Sequence, residues 1–203
     1  MSDKSRIFMP MKKLLYIIGL ILLFATNTTA ANTDFLGARV EVVAKGGLLD
    51  DIFNLQRSVV NQNKNVIASA SNNAKGAFGE IASDALLTEK GFKPLHPRKT
   101  ALTQGWGETG IDGVFVKDGK YYIVEAKYHG QATLSTSSNG TKQMSDPWIT
   151  GNNRVLNAVG GNRTLAEEVL GNYKRILAEV APDGTVVYKE LDAMANTIGT
   201  FTP

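Results

Sequence analysis

Apolar and polar positions alternate with two distinct periods along this chain. Leu48, Ile52, Leu55 and Val59 recur at helical spacing and predict a helix from Gly47. The run then turns polar, through 61–65 and again through 69–73, which reads as a loosely attached helix followed by a linker. From Lys75, Ala77, Phe78, Ile81, Ala82, Ala85 and Leu86 form a second helical stripe, with Gly91 placed as its C-terminal cap. Phe92 to Leu95 reads as a short extended piece, and 96–110 as a loop. The period then drops to two. Ile111–Lys117 and Lys120–Lys127 are rich in β-branched and aromatic residues, and Asp118-Gly119 between them is a two-residue hairpin turn of the I′ kind.

After a polar loop over 129–145, Asp146-Pro147 predicts a helix start with Asp146 as N-cap, leading through Trp148, Ile149, Val155 and Leu156. Thr164 to Glu167 reads as a capping box opening a short helix. Lys174–Val180 and Thr185–Leu191 predict a second hairpin around Pro182-Asp183-Gly184. The expected class is α/β (α+β), with helices around a mixed sheet.

Residues 1–31 are expected to be a signal peptide rather than part of the fold. Lys12 and Lys13 precede a 12-residue apolar run, Leu14–Ala25, which is short for a membrane span. Small residues over 28–31 suit cleavage after Ala30 or Ala31. The expected organisation is 1–31 signal peptide, 32–74 N-terminal helix and linker, and 75–203 the main domain, with an exported, periplasmic or secreted product and no stable membrane association after signal removal. An uncleaved anchor is the competing reading.

This segment changes the meaning of the charge. The chain has 22 basic and 19 acidic residues. Residues 1–30 hold Lys4, Arg6, Lys12 and Lys13 against Asp3, which leaves 18 of each in the rest. A global basic field is therefore no argument for nucleic acid. Cys is absent, which excludes disulfides, thiolate zinc sites and cysteine nucleophiles. His96 and His129 are the two histidines, so a multi-histidine metal site is excluded and any metal falls mainly to carboxylates.

The hairpin brings two such groups together. With Asp118 and Gly119 as the loop, paired positions sum to 237, so Asp112 faces Glu125. Directly opposed residues hold their Cβ atoms about 4.5–5.5 Å apart. Lys127, two residues beyond Glu125, shares their face. Like charges so placed destabilise a hairpin that is apolar on both faces, and a divalent cation between them compensates. Oxygen ligands suit Mg²⁺, with Mn²⁺ or Zn²⁺ as alternatives. Lys127 would then balance charge, position water or stabilise the transition state. A plain salt bridge between Lys127 and either carboxylate is the competing reading.

Ile111-Asp112, twelve residues, then Glu125-Ala126-Lys127 resembles the signature of the PD-(D/E)xK, or restriction-endonuclease-like, nuclease superfamily. Gly110-Ile111-Asp112 stands where that signature has Pro-Asp. The segment Lys75–Glu80, opening a helix that ends at Gly91-Phe92, is similar to the preceding helix of that superfamily, and Glu80 resembles its helical acid. The likeness spans roughly residues 75–160. With the loop Lys142–Asp146 and Trp148, the overall order is similar to nuclease toxin domains of bacterial contact-dependent inhibition and other polymorphic toxin systems.

The resemblance implies a restriction-endonuclease-like mixed sheet flanked by helices and a metal-dependent endonuclease acting on DNA or tRNA. It implies metal ligands Asp112, Glu125, Glu80 and the carbonyl of Ala126, with Lys127 acting on the attacking water. A secreted antibacterial toxin effector with a cognate immunity protein is the biological expectation. An exported non-catalytic binding protein and an inactive nuclease fold that binds nucleic acid are the alternatives.

Further candidates surround this set. Gln143 could orient a phosphate or the water, Glu108 could be a spare ligand, and His129 could touch the site. Lys93, His96, Arg98 and Lys99 could meet a phosphate backbone, and Trp106, Trp148 and Tyr128 could stack on bases. For each, a solvated or packing role is the alternative.

Overall fold

The computed structural model describes residues 47–104, 110–129 and 133–203. The expected signal peptide, the lead-in to residue 46, and the candidates Trp106 and Glu108 lie outside the described residues. Gly46–Pro203 forms one compact unit. Among the described residues no helix is long and apolar enough to cross a membrane.

Six strands, β1 (Lys93–Pro94), β2 (Gly113–Lys117), β3 (Lys120–Tyr128), β4 (Tyr173–Val180), β5 (Val186–Leu191) and β6 (Thr197–Phe201), form one sheet in sequence order. Every neighbouring pair is antiparallel except β3 and β4, which run parallel. The chain is thus an α/β protein with a mixed sheet. The β2–β3 register pairs Lys117 with Lys120 and Gly113 with Val124, as the turn chemistry predicts. Asp118 and Gly119 both have positive φ, 51° and 71°, which a type I′ turn requires.

Both faces are covered, which explains near-continuous burial along the central strands. On one face helix α2 (Asn72–Glu89) packs Leu86 and Leu87 against Phe115, Tyr122, Val124, Ile176 and Tyr188. On the other, helices α3 (Asp146–Thr150), α4 (Arg154–Ala158) and α5 (Arg163–Gly171) bring Trp148, Ile149, Val155 and Val169 onto Val114, Ile123 and Leu177.

Local chemistry sets the ends of α2. Ser71 caps it by accepting the Ala74 N–H. At its end Gly91, at φ 84°, and Phe92 donate their N–H groups to Thr88 and Leu87. This is the Schellman pattern, and it drops Phe92 into the core beside Leu87.

Several expectations are corrected. Helix α1 (Gly47–Asn63) is not loosely attached. Among its described side chains Gln56 is the buried one, whereas Leu55 is half-exposed. Ile67, in a single 3-10 turn over Ile67–Ser69, is also buried, and a side chain on Gly184 would collide with Val60 of α1. The polar stretch read as linker supplies that turn and the α2 cap, and the boundary expected at 74/75 falls inside α2. The single helix expected from Asp146 is two helices, parted where Asn152 and Asn153 adopt left-handed φ of 54°. Ser145, not Asp146, is the N-cap of α3. Helix α5 is capped by Asn162, which accepts the Leu165 N–H two residues before the expected Thr164. Strand β6 was not anticipated.

Candidate active site

The site lies where β2 stops and β3 continues. In an antiparallel ladder one residue's N–H and C=O point to the same edge, in alternation along the strand. Val124 pairs with Gly113, so Ala126 also turns its polar groups toward that edge, where β2 has ended. Asp112 fills the gap with its side chain, as Oδ2 accepts the Ala126 N–H at 2.8 Å. The Ala126 carbonyl points the same way.

The ladder ends at Gly113–Val124, and its register carried one step further sets Asp112 beside Glu125, at the kind of position where side chains come closest. Glu125 is 2% exposed. Its Oε1 accepts two hydrogen bonds, from Lys127 Nζ at 2.5 Å and from Gln143 Nε2 at 2.7 Å. Its Oε2 is buried with no hydrogen-bond partner. Gln143 is held in turn, since its Oε1 accepts from the Ser135 N–H and hydroxyl and its backbone N–H donates to the Ser135 carbonyl.

These surroundings perturb both acids. Burial pushes the Asp112 carboxyl well above its ordinary value, and the Glu125 charge adds to this against the Ala126 N–H, Lys127 and Lys99. Burial also raises Glu125. Lys127 and the Asp112 carboxyl pull it down, while Glu80 pushes it further up. A cation bound between them would relieve the same charge repulsion that helps raise Asp112.

Asp112, Glu125, Ala126, Lys127, Gln143 and Glu80 line one cleft of about 570 Å³. All the residues proposed for catalysis and metal binding are therefore brought together. Helix α2 runs close to β3 at Gly79. A Cβ there would already touch the Tyr128 amide at 3.6 Å. Glu80 is not a third member of an acid cluster, however. Its Oε2 pairs with Lys99 at 2.6 Å, and among the described residues no three acids or histidines are grouped to hold a metal ion.

Other candidates are placed differently. His96 and Arg98, expected to meet phosphate, are buried, with side chains 6% and 3% exposed. Arg98 Nε donates to both oxygens of Asp84 at 3.0 Å, its Nη2 donates to Thr88 and Gln56, and Gln56 donates to Asp84 and to the Lys99 carbonyl. Burial alone would raise the Asp84 carboxyl, but His96 and Arg98 outweigh it and hold it below its ordinary value. Sequence reasoning missed this network. Asp84 inside the apolar stripe of α2 was its visible signal, because a buried acid demands a cation.

Trp148 is buried in the core beneath α3 with one edge on the cleft, and Arg154 stacks over it at 4.4 Å. Tyr128 packs edge-on against Phe78. Lys93 and His129 are exposed.

A scan against protein-family models and searches of curated proteins and of solved structures found no match to this chain.

Proposed function

We propose that this protein is a metal-dependent nuclease that hydrolyses phosphodiester bonds in DNA or tRNA. One observation carries the reading: Asp112, half-buried, and Glu125, fully buried, come together at the open end of a hairpin, with the Lys127 amine 2.5 Å from Glu125 Oε1. A structural ion pair needs one acid. Here there are two, both raised toward protonation, in a cleft open to solvent.

The residues fit a hard divalent cation such as Mg²⁺. Glu125 Oε2 is a buried acceptor without a donor, Asp112 faces it, and the Ala126 carbonyl points to the same edge. Asp112, Glu125 and Ala126 would hold the ion, with Glu80 adding negative charge nearby. Bound there, such an ion supplies Lewis-acid polarisation of phosphoryl oxygens and lowers the pKa of nearby water. Lys127 orients the attacking water and offsets charge that develops on phosphorus oxygens. Gln143 keeps Glu125 Oε1 in place, and Oε2 is left as an acceptor without a donor.

The biological reading is a secreted antibacterial toxin effector, exported through residues 1–31 and neutralised by a cognate immunity protein. The apolar run behind Lys12 and Lys13 and the toxin-like motif order support it.

The deciding experiment is cleavage of plasmid DNA, tRNA and rRNA with Mg²⁺, Mn²⁺ or Zn²⁺, comparing the parent with Asp112→Ala and Lys127→Ala. Metal-dependent cleavage by the parent alone is expected. Equal activity in all three proteins, or none in any, sinks the enzyme. Gel-shift binding without cleavage at any ion leaves an inactive nuclease fold.

A further inference from the structure

A second cavity, of about 540 Å³, adjoins the first. The two share Glu80, Gly110 and Asp112, so they meet beside Asp112. The Glu125 side holds the charged groups of the proposed chemistry. The far side adds Asn152 and Asn157 to the charged Asp84, Lys99 and Arg154. Its wall is the bend between α3 and α4, where left-handed backbone at Asn152 and Asn153 turns the chain. Asparagine tolerates that conformation better than most residues.

Asn152 and Asn157 face this second cavity, and both are exposed. Neither side-chain amide has a hydrogen bond to another described residue. Each offers a carbonyl acceptor and an NH₂ donor pair. Beside them Arg154 is stacked on Trp148 and tied by Nη1 to the carbonyls of Trp148 and Gly151. Its Nε and Nη2 have no hydrogen bond among the described residues. The guanidinium is thus fixed in place with donors unspent. Lys99 lines the same wall near Asp112.

Donors and acceptors so mixed suit the edge of a nucleobase better than a phosphate. A volume of this size lies within the range of about 300–1,000 Å³ typical of small-ligand pockets, which admits one nucleotide and not a helix. Base edges in a duplex are already paired, whereas unpaired bases can be splayed into a pocket and read there. We propose that the cavity is a subsite for an unpaired nucleotide next to the scissile phosphate. The substrate is then a single-stranded segment, loop or end of a nucleic acid and not continuous duplex. This rests on the nuclease reading for the position of the scissile phosphate, but the subsite is testable by binding alone.

The test uses the full chain in EDTA, so that cleavage does not interfere, with fluorescence anisotropy of a labelled single-stranded 12-mer as DNA and as RNA. The same sequences in duplex form are the comparison. Asn152→Gly/Asn157→Ala removes both amides while keeping the left-handed bend at Asn152 accessible, and circular dichroism checks that it folds. Asn157→Ala alone is the second variant. The single strand should bind about tenfold more tightly than the duplex, and the double variant should lose about that factor, as expected for the loss of base-edge hydrogen bonds. Duplex binding as tight as single-strand binding, or binding unchanged in both variants, overturns the subsite.

Cleavage scores the two ideas separately. Metal-dependent cleavage that ignores both asparagines leaves the nuclease and removes the subsite. Asparagine-dependent binding without cleavage at any ion removes the nuclease and leaves the subsite.

Discussion

Asp112 hydrogen-bonds the backbone of Ala126 while standing opposite the side chain of Glu125, so one residue both ends the β2–β3 ladder and builds the site. An acid at this position completes the sheet edge and also opposes a second buried acid. The two roles pull stability and function in different directions.

That conflict predicts a pH signature. Both acids have raised folded-state values, whereas in the unfolded chain they titrate near about 4. The folded state therefore binds more protons. The stabilising protonated forms are fully present below about pH 4, and their contribution is lost as pH rises through the raised folded values. Asp112→Asn keeps an acceptor for the Ala126 N–H but removes the charge. It should melt at a higher temperature than the parent at pH 7–8 and show little gain near pH 4. Thermal denaturation across pH decides this, and a parent as stable as the variant at pH 8 refutes the strained pair.

Metal addition should reverse the comparison. A ligand that binds only the folded state stabilises by mass action, by about 2.7 kcal/mol at a hundredfold excess over Kd. Mg²⁺ should raise the melting temperature of the parent and leave that of Asp112→Asn unchanged. The gain should grow with pH, because protons and metal compete for the same oxygens. A shift of equal size in both proteins would place the ion elsewhere.

Lys127 separates charge balance from catalysis. Lys127→Met leaves Glu125 with only Gln143 on Oε1, so Glu125 should take up protons more readily and the fold should lose about 1–3 kcal/mol at neutral pH. Cleavage should fall about 100- to 1,000-fold, the usual cost of removing a group that stabilises developing charge. Gln143→Ala should cost less in both respects, because Lys127 remains. Urea titration and single-turnover cleavage on the same samples test the ordering, and a Gln143 effect larger than the Lys127 effect contradicts it.

What was legible in the sequence was local. Asp118-Gly119 dictates a two-residue turn, and strict alternation then carries the register outward to Gly113 and Val124, the pair next to Asp112 and Glu125. Gly91 likewise announces the end of α2. The failures are tertiary. Nothing near Gln56 says that a polar residue will be the most buried position of α1, because its partners Asp84 and the Lys99 carbonyl lie 28 and 43 residues away. Strand β6 is exposed along nearly its whole length, so it lacks the alternation that would betray it and exists through pairing with β5. Thr164 has capping-box spacing, but Asn162 reaches the free N–H groups first. The site was readable because a turn made it. Its outer wall at Asn152 was not, since a left-handed bend between two short helices has no apolar period.

The last prediction concerns how the site is held from behind. Arg98 closes on Asp84 while its neighbour Lys99 reaches Glu80, so α1, α2 and the loop at 96–99 are tied through one buried carboxylate. Arg98→Ala would leave that charge in a position 5% exposed, without its guanidinium partner. Breaking such a pair by removing one partner costs about 3–5 kcal/mol, most of it the uncompensated burial. The companion change Arg98→Ala/Asp84→Ala removes the charge as well and should recover much of the loss. It still leaves Gln56 short of a partner, so recovery should be incomplete. Urea unfolding of the two variants, with parent stability as the reference, gives the coupling. If the double variant is no more stable than Arg98→Ala, the cost comes from lost packing of the arginine stem, and the network does not act through Asp84.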